Sequence, residues 1–274
     1  MSLNRRHFAS LDCRVPFNSA LALLTLFSII FLTAGQAVAV QSNGGYVTTT
    51  PTLANWNSGW SSGTNTGWNY VGQVNGASGV YLGNNWVITA AHIGAGNFSL
   101  GGTTYSVVAG SAHGITSGTD SVDLTLFKLS SAPSLTALTL PGSSQDLSGM
   151  TTAMIGFGGG HGETWGADTI SNNLYYVTPS GYTYVSIDFQ TLYGSGNTAV
   201  LVGGDSGGGD FVYSNGHWLL AGINEAVDGS FNSYMVDLSQ YKSQINAIVG
   251  VPEPDALLLA GIGAFICLSR HRRN

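Results

Sequence analysis

Between residues 78 and 236 the apolar runs are short, and glycine, asparagine or serine cuts nearly every one of them. An amphipathic helix needs apolar residues three or four apart over about ten positions or more. A buried strand needs only a run of roughly four to eight. The runs that qualify as strands lie at 79–82, 86–89, 105–108, 124–129, 152–157, 174–177, 183–189, 199–202, 211–213 and 218–223. Gly83-Asn84-Asn85 joins the first two as a turn. Only 241–249 has the look of a helix, amphipathic and closing the chain. No internal repeat is present. Many short strands with turn residues between them predict an all-β barrel or sandwich.

Charge and cysteine sharpen the picture. Six of the eight basic residues, Arg5, Arg6, Arg14, Arg270, Arg272 and Arg273, lie near the two ends. The middle, 40–250, holds only Lys128 and Lys242 against eleven acids, which argues against nucleic acid as a partner. An acidic surface is read most simply as solubility. Both cysteines, Cys13 and Cys267, also fall outside the middle, which therefore has neither disulfide nor thiol chemistry and must be stabilised by packing.

The ends carry addresses. Arg5-Arg6, an apolar run over 20–34, and Ala37-Val38-Ala39 make a secretory signal peptide over 1–39, with cleavage expected after Ala39 by signal peptidase. At the other end, 251–274, Pro252-Glu253-Pro254 precedes an apolar stretch (256–268) and the basic Arg270-His271-Arg272-Arg273. That order resembles the PEP-CTERM sorting signal of Gram-negative bacteria. It implies transient membrane association and removal by an exosortase-type enzyme. Thirteen apolar residues span about 20 Å as a helix, short for a permanent anchor. The mature chain is expected outside the cytoplasm, at the cell surface, in the extracellular matrix or in the periplasm.

The sharpest chemical motif is Gly204-Asp205-Ser206-Gly207-Gly208. A serine hydroxyl needs a base to become a nucleophile, and the oxyanion it creates needs aimed N–H donors. The same residues fit the Gly-x-Ser-x-Gly elbow of α/β-hydrolases, but that fold places its acid and histidine after the serine. Here His217 precedes every later aspartate, and alternating helices are missing. Upstream the partners are in place. Thr89-Ala90-Ala91-His92 ends a strand on a histidine, and Asp123-Leu124-Thr125-Leu126-Phe127-Lys128-Leu129 opens one on an acid, with Asp120 as a competitor.

These segments, in the order His, Asp, Ser, resemble the signature segments of the chymotrypsin/trypsin-like serine peptidase superfamily. Gly156-Phe157-Gly158, Gly222-Ile223 and Tyr234-Met235-Val236 are similar to elements of its second half. The resemblance implies two packed antiparallel six-stranded β-barrels with a short C-terminal helix. It implies Ser206 as nucleophile, His92 as general base and then acid, and Asp123 as the residue that orients the imidazole. The amides of Gly204 and Ser206 would form the oxyanion hole, and Asp205 would hold the nucleophile loop. Relatives that ripen from zymogens bury a new Ile- or Val-led N-terminus against that carboxylate; whether Val40 does so is left open by the sequence.

Departures from the pattern also carry information. Ile93 stands where a cysteine commonly follows the histidine. Val200 stands six before the nucleophile, where tryptic enzymes carry an acid, which implies an apolar primary pocket. Glu225 falls where a serine usually supports the catalytic aspartate, and it is the residue that would rescue a basic substrate if it lined the pocket. His113, His161 and His217 sit in glycine- or asparagine-rich stretches and read as solvated loop residues, with no metal-ligand spacing. Trp56, Trp60 and Trp68 read as N-terminal packing, with a glycan-binding strip as the alternative. The expected function is therefore an exported serine endopeptidase, acting on protein or peptide without a cofactor. The alternative is a catalytically idle matrix or adhesion module on the same fold.

Overall fold

A computed structural model describes residues 40–42, 45–192 and 199–250. The expected signal peptide and sorting segment lie outside the described residues. The strands are β1 (Gln41–Ser42), β2 (Gly45–Tyr46), β3 (Val71–Val74), β4 (Ala77–Gly83), β5 (Trp86–Thr89), β6 (Phe98–Leu100), β7 (Thr103–Tyr105) and β8 (His113–Ser117). They continue with β9 (Asp120–Lys128), β10 (Thr151–Gly156), β11 (Thr164–Val177), β12 (Ser186–Thr191), β13 (Ala199–Val200), β14 (Gly209–Ser214), β15 (His217–Val227) and β16 (Ser233–Asp237). One helix, α1 (Leu238–Val249), follows.

Tight turns set the pairing. Asn75-Gly76, Asn84-Asn85 and Asn215-Gly216 all take positive φ and join β3 to β4, β4 to β5 and β14 to β15. Two-residue turns of this handedness match the right-handed twist of the strands they connect, and asparagine and glycine tolerate them best. The resulting antiparallel ladders form a sheet in the order β7-β6-β3-β4-β5-β9-β8 and a closed barrel in the order β10-β11-β12-β16-β15-β14. The barrel closes through β10 and β14, Thr152 facing Val212.

The first unit is a seven-stranded sheet, one strand more than the expected six, because the Gly101-Gly102 turn divides the edge into β6 and β7. Its margin returns upon itself. Just past β7, Val107 bridges Leu129, Val108 N–H donates to Lys128 O at 2.8 Å, and Ser130 N–H donates to Ser106 O at 2.9 Å. The sheet thus rolls towards closure, with Val80, Ile88, Phe98, Leu124 and Leu126 inside. Met154, Ile170, Phe189, Val212 and Met235 fill a core of the second barrel.

Two further pieces fix the ends. β1 pairs with β13 and β2, which brings Val40, fully buried, against Leu201 and Met154 in the second core. Trp60 stacks on Trp218 at 5.4 Å, and Trp56 meets the same ring edge-on at 4.7 Å. Both are buried, so they pack the N-terminal segment onto the second barrel and offer no strip for a glycan. α1 begins three residues before its expected start, because Asp237 caps it, accepting Ser239 N–H at 2.9 Å. It buries Leu238, Tyr241 and Ile245 on one face.

Candidate active site

β5 and β9 lie side by side, with Thr89 opposite Thr125. The chain leaves β5 in a single helical turn, closed by Ile93 N–H to Ala90 O at 3.1 Å, and that turn aims His92 back at β9. Asp123 meets it twice. Its Oδ1 accepts the His92 backbone N–H at 2.8 Å, and its Oδ2 lies 2.6 Å from His92 Nδ1. The Asp123 side chain is wholly buried and that of His92 is 10% exposed. Asp120 sits exposed at the mouth of the β8–β9 hairpin and takes no part. A buried carboxylate held on Nδ1 fixes the imidazole's orientation and leaves Nε2 free to act.

Ser206 arrives from the second barrel on the loop before β14. Ser78, at the start of the buried β4, ties this loop to the first sheet. Its N–H donates to Ser206 O at 3.0 Å, its hydroxyl donates to Gly204 O at 3.0 Å, and its carbonyl accepts the Thr89 hydroxyl at 2.7 Å. The same hydroxyl oxygen accepts Phe157 N–H at 2.9 Å. One serine therefore joins the Ser206 loop, the strand that leads to His92 and the glycine turn of the second barrel. No local pattern marks it in the sequence.

Backbone hydrogen bonds shape the loop. The amides of Asp205, Gly207 and Gly208 donate to Val202, Asn224 and Asp205 carbonyls at 2.9–3.0 Å. Those of Gly204 and Ser206 have no acceptor among the described residues. Gly204 and Gly207 both have positive φ, the conformation that turns successive amides towards one point. The arrangement offers two N–H donors where an oxyanion would form.

Asp205 lies beneath the loop, fully buried. Its carboxylate accepts Gly158 N–H and Val202 N–H, each at 2.9 Å, and a backbone N–H of Val40. Burial raises it to about 7, and those three bonds hold it from going higher. Gly156 and Gly158 wrap it so closely that a Cβ on either would strike Asp205 Oδ1, at 2.3 and 2.7 Å. This is the physical reason for the Gly156-Phe157-Gly158 motif.

A cavity of about 90 Å³ opens beside Ser206, lined by Leu201, Val202 and Gly203 on one wall and Glu225, Ala226 and Val227 on the other. The lining begins one residue later than the sequence suggests. Val200 is buried in β13, paired with Gln41. Glu225 reaches the cavity wall, yet its carboxyl is buried and its Oε1 accepts the Ser186 hydroxyl at 3.0 Å. Ser206 Oγ lies 3.5 Å from Glu225 O. On the other side of His92, Tyr182 places its ring centroid 5.0 Å away, and Val185 N–H anchors that connection to Ser121 O on β9. His113 and His217 are exposed, and His161, also exposed, stacks on Tyr46 at 4.1 Å. A larger cavity of about 310 Å³ lies between Leu82, Leu140 and Ile245, away from His92, Asp123 and Ser206.

A histidine on a buried aspartate, and a serine whose own amide and that of Gly204 are unengaged among the described residues, are features to set beside known proteins. The model of the family described as Trypsin matches residues 58–245. The chain belongs to the trypsin family. Solved structures similar to this trypsin-family chain include the Rv3671c protease in its inactive form, at 17% identity and TM-score 0.51, covering 66% of this chain and 89% of that one. An inactive serine mutant of Rv3671c from M. tuberculosis H37Rv matches at 17% identity and TM-score 0.52, over 77% of this chain and 99% of that one. No curated protein sequence matches significantly. At these identities the structural likeness speaks for the fold alone. The family match identifies the trypsin-like domain.

Proposed function

We propose that this trypsin-family chain is an exported serine endopeptidase that cuts peptide bonds through an acyl-enzyme. The observation that carries the reading is the 2.6 Å contact between His92 Nδ1 and the buried Asp123. With Nδ1–H donated to Asp123, the lone pair on Nε2 takes the proton of Ser206 Oγ as that oxygen turns from Glu225 O towards the imidazole. The alkoxide attacks the substrate carbonyl, and the Gly204 and Ser206 amides hold the oxyanion. His92 then protonates the leaving amine, and a water activated by the same nitrogen releases the acyl group. No cofactor enters the scheme.

The cavity beside Ser206 supports a preference for medium-sized apolar residues before the cut. Its walls carry Leu201, Val202, Ala226 and Val227. Glu225, the one acid there, has its carboxyl buried against Ser186, Asp188 and Asp123, which sets it against a substrate cation in the cavity. A lysine or arginine side chain would lose its hydration without a carboxylate in exchange, whereas an apolar one gains about 25 cal/mol per Å² buried.

An active-site-directed fluorophosphonate tests the chemistry. It should label Ser206 in the wild-type protein and leave Ser206→Ala unlabelled; turnover should fall by about 10⁶ in Ser206→Ala or His92→Ala and by about 10⁴ in Asp123→Asn. No labelling of the wild type would favour the idle module. A mixed peptide library reports the pocket, and dominant cleavage after Arg or Lys would refute the apolar preference. Export and tail removal rest on the sequence of the two ends, and intact-mass spectrometry of protein from a host with the sorting enzyme checks both.

A further inference from the structure

Behind the Asp123–His92 pair lies a second set of carboxyl groups that the proposed chemistry does not use. Asp188 on β12 and Glu225 on β15 are buried, and their carboxyls are within hydrogen-bonding reach of each other. Ser186, also buried, links them to the triad. Its hydroxyl donates to Glu225 Oε1 at 3.0 Å, and the same oxygen accepts the Asp123 backbone N–H at 3.1 Å. The Glu225 carboxyl also reaches that of Asp123. Glu225 Oε2 and both Asp188 oxygens receive no N–H or O–H donor from the described residues.

With no cation beside the pair, Asp188 and Glu225 do not both ionise at this range, so a proton lies between them, whereas Asp123 has the His92 ring to balance its charge. Burial, with Glu225 and the nearby acids, pushes Asp188 well above the ordinary aspartate range. Burial raises Glu225 to about 7, the Asp188 hydrogen bond opposes it, and the Asp123 charge adds to it. The groups facing Glu225 are Asp123 from β9, Ser186 and Asp188 from β12, and Tyr241 from α1. Asp237, at the end of β16, faces Asp188. None of them is a cation.

We propose that Glu225, held by a proton shared with Asp188 and by the Ser186 hydroxyl, is a positioning residue that sets the basicity of the Asp123–His92 pair. While Glu225 is neutral, its carboxyl donates to Asp123 and spreads that residue's charge. Once ionised, it stands as a second negative charge behind Asp123 and stabilises the imidazolium. The general base thereby strengthens as pH rises through neutrality, and the pH at which it becomes free to act moves upward. The proposal builds on the triad reading above.

The test is the pH dependence of fluorophosphonate labelling at Ser206, read beside the pH midpoint of the His92 ring resonances by NMR. Glu225→Gln keeps the shape and an acceptor for Ser186 but cannot ionise. It should move the acid limb of the labelling rate, and the His92 midpoint, to lower pH by about one unit. Asp188→Leu removes the donor that favours ionised Glu225 and replaces a buried acid with an apolar side chain of similar size. It should move both in the same direction. A uniform loss of labelling rate with unmoved limb and midpoint would mean a merely structural role and would overturn the proposal. If the wild type does not label at all, the serine-peptidase reading fails, and the His92 midpoint alone decides the coupling.

Discussion

Ser78 shows how much of a site can rest on a residue that never meets substrate. Its hydroxyl donates to Gly204 O and accepts Phe157 N–H, both beside the Ser206 loop. Ser78→Ala removes that oxygen and leaves a half-buried donor and acceptor without this partner, at a stability loss of about 1 kcal/mol. Because the orphaned carbonyl belongs to Gly204, the labelling rate should fall about tenfold or more as well. Urea unfolding beside labelling kinetics checks both, and a variant with wild-type values in each would remove Ser78 from the support of the loop. The runs around His92, Asp123 and Ser206 stand out in the sequence because each is contiguous, and the structure brings His92 onto Asp123. Ser78, Ser186 and Asp188 were not. They are small polar residues in strands, joined to the triad only when strands distant in sequence are brought alongside one another. Glu225 stood out as an anomaly, but only the structure turns its carboxyl from the pocket to Ser186 and Asp188.

At the scale of elements, glycine positions decide what the loops can do. Gly207 has φ +84°, and a Cβ there would meet Thr89 Oγ1 at 2.1 Å and Ser78 O at 2.2 Å. Both neighbours belong to the tie between the loop and β4, so neither can yield without releasing Ser206. Gly207→Ala should therefore lower the melting temperature and abolish labelling together. A folded Gly207→Ala protein that still labels at the wild-type rate would contradict this. Most strands were legible from short apolar runs, and the three asparagine-led turns explain their registers. Boundaries were less so. The edge expected over 105–108 begins earlier, as β7 paired with β6 across the Gly101-Gly102 turn, and ends at Tyr105 with a separate bridge at Val107. β11 extends far beyond the expected 174–177, since Thr164 to Thr169 pair with β10 through residues whose apolar pattern is weak.

Over the whole molecule, charge is distributed differently from what composition suggests. Seven of the eleven acids in 40–250, namely Asp123, Asp168, Asp188, Asp205, Asp210, Glu225 and Asp237, are buried, so they do not serve solubility. Burial raises Asp168 to about 6 and both Asp205 and Glu225 to about 7. A carboxyl raised in the folded state binds its proton more tightly there than in the unfolded chain. Its contribution to stability is therefore full at acid pH and is lost as pH climbs through the folded value, at up to about 1.4 kcal/mol per unit for each group. The protein should melt higher at pH 5 than at pH 8, with most of the change from these three groups falling below pH 7, where the unfolded chain has already lost the protons that the folded state still holds. Calorimetry at the two values checks it, and a higher melting temperature at pH 8 would reverse the sign. Val40 carries the last consequence. It is buried to the atom, and its backbone nitrogen touches the carboxylate that sits beneath Ser206. Cleavage after Ala39 would turn that nitrogen into an ammonium and supply the cation Asp205 lacks. Protein beginning at Val40 should label faster than protein carrying even one residue before it, a comparison that mass-verified N-termini make direct. Were cleavage after Ala39 both to release the chain and to free this nitrogen, the cell that makes it would need neither an inhibitor nor a second protease to protect its interior.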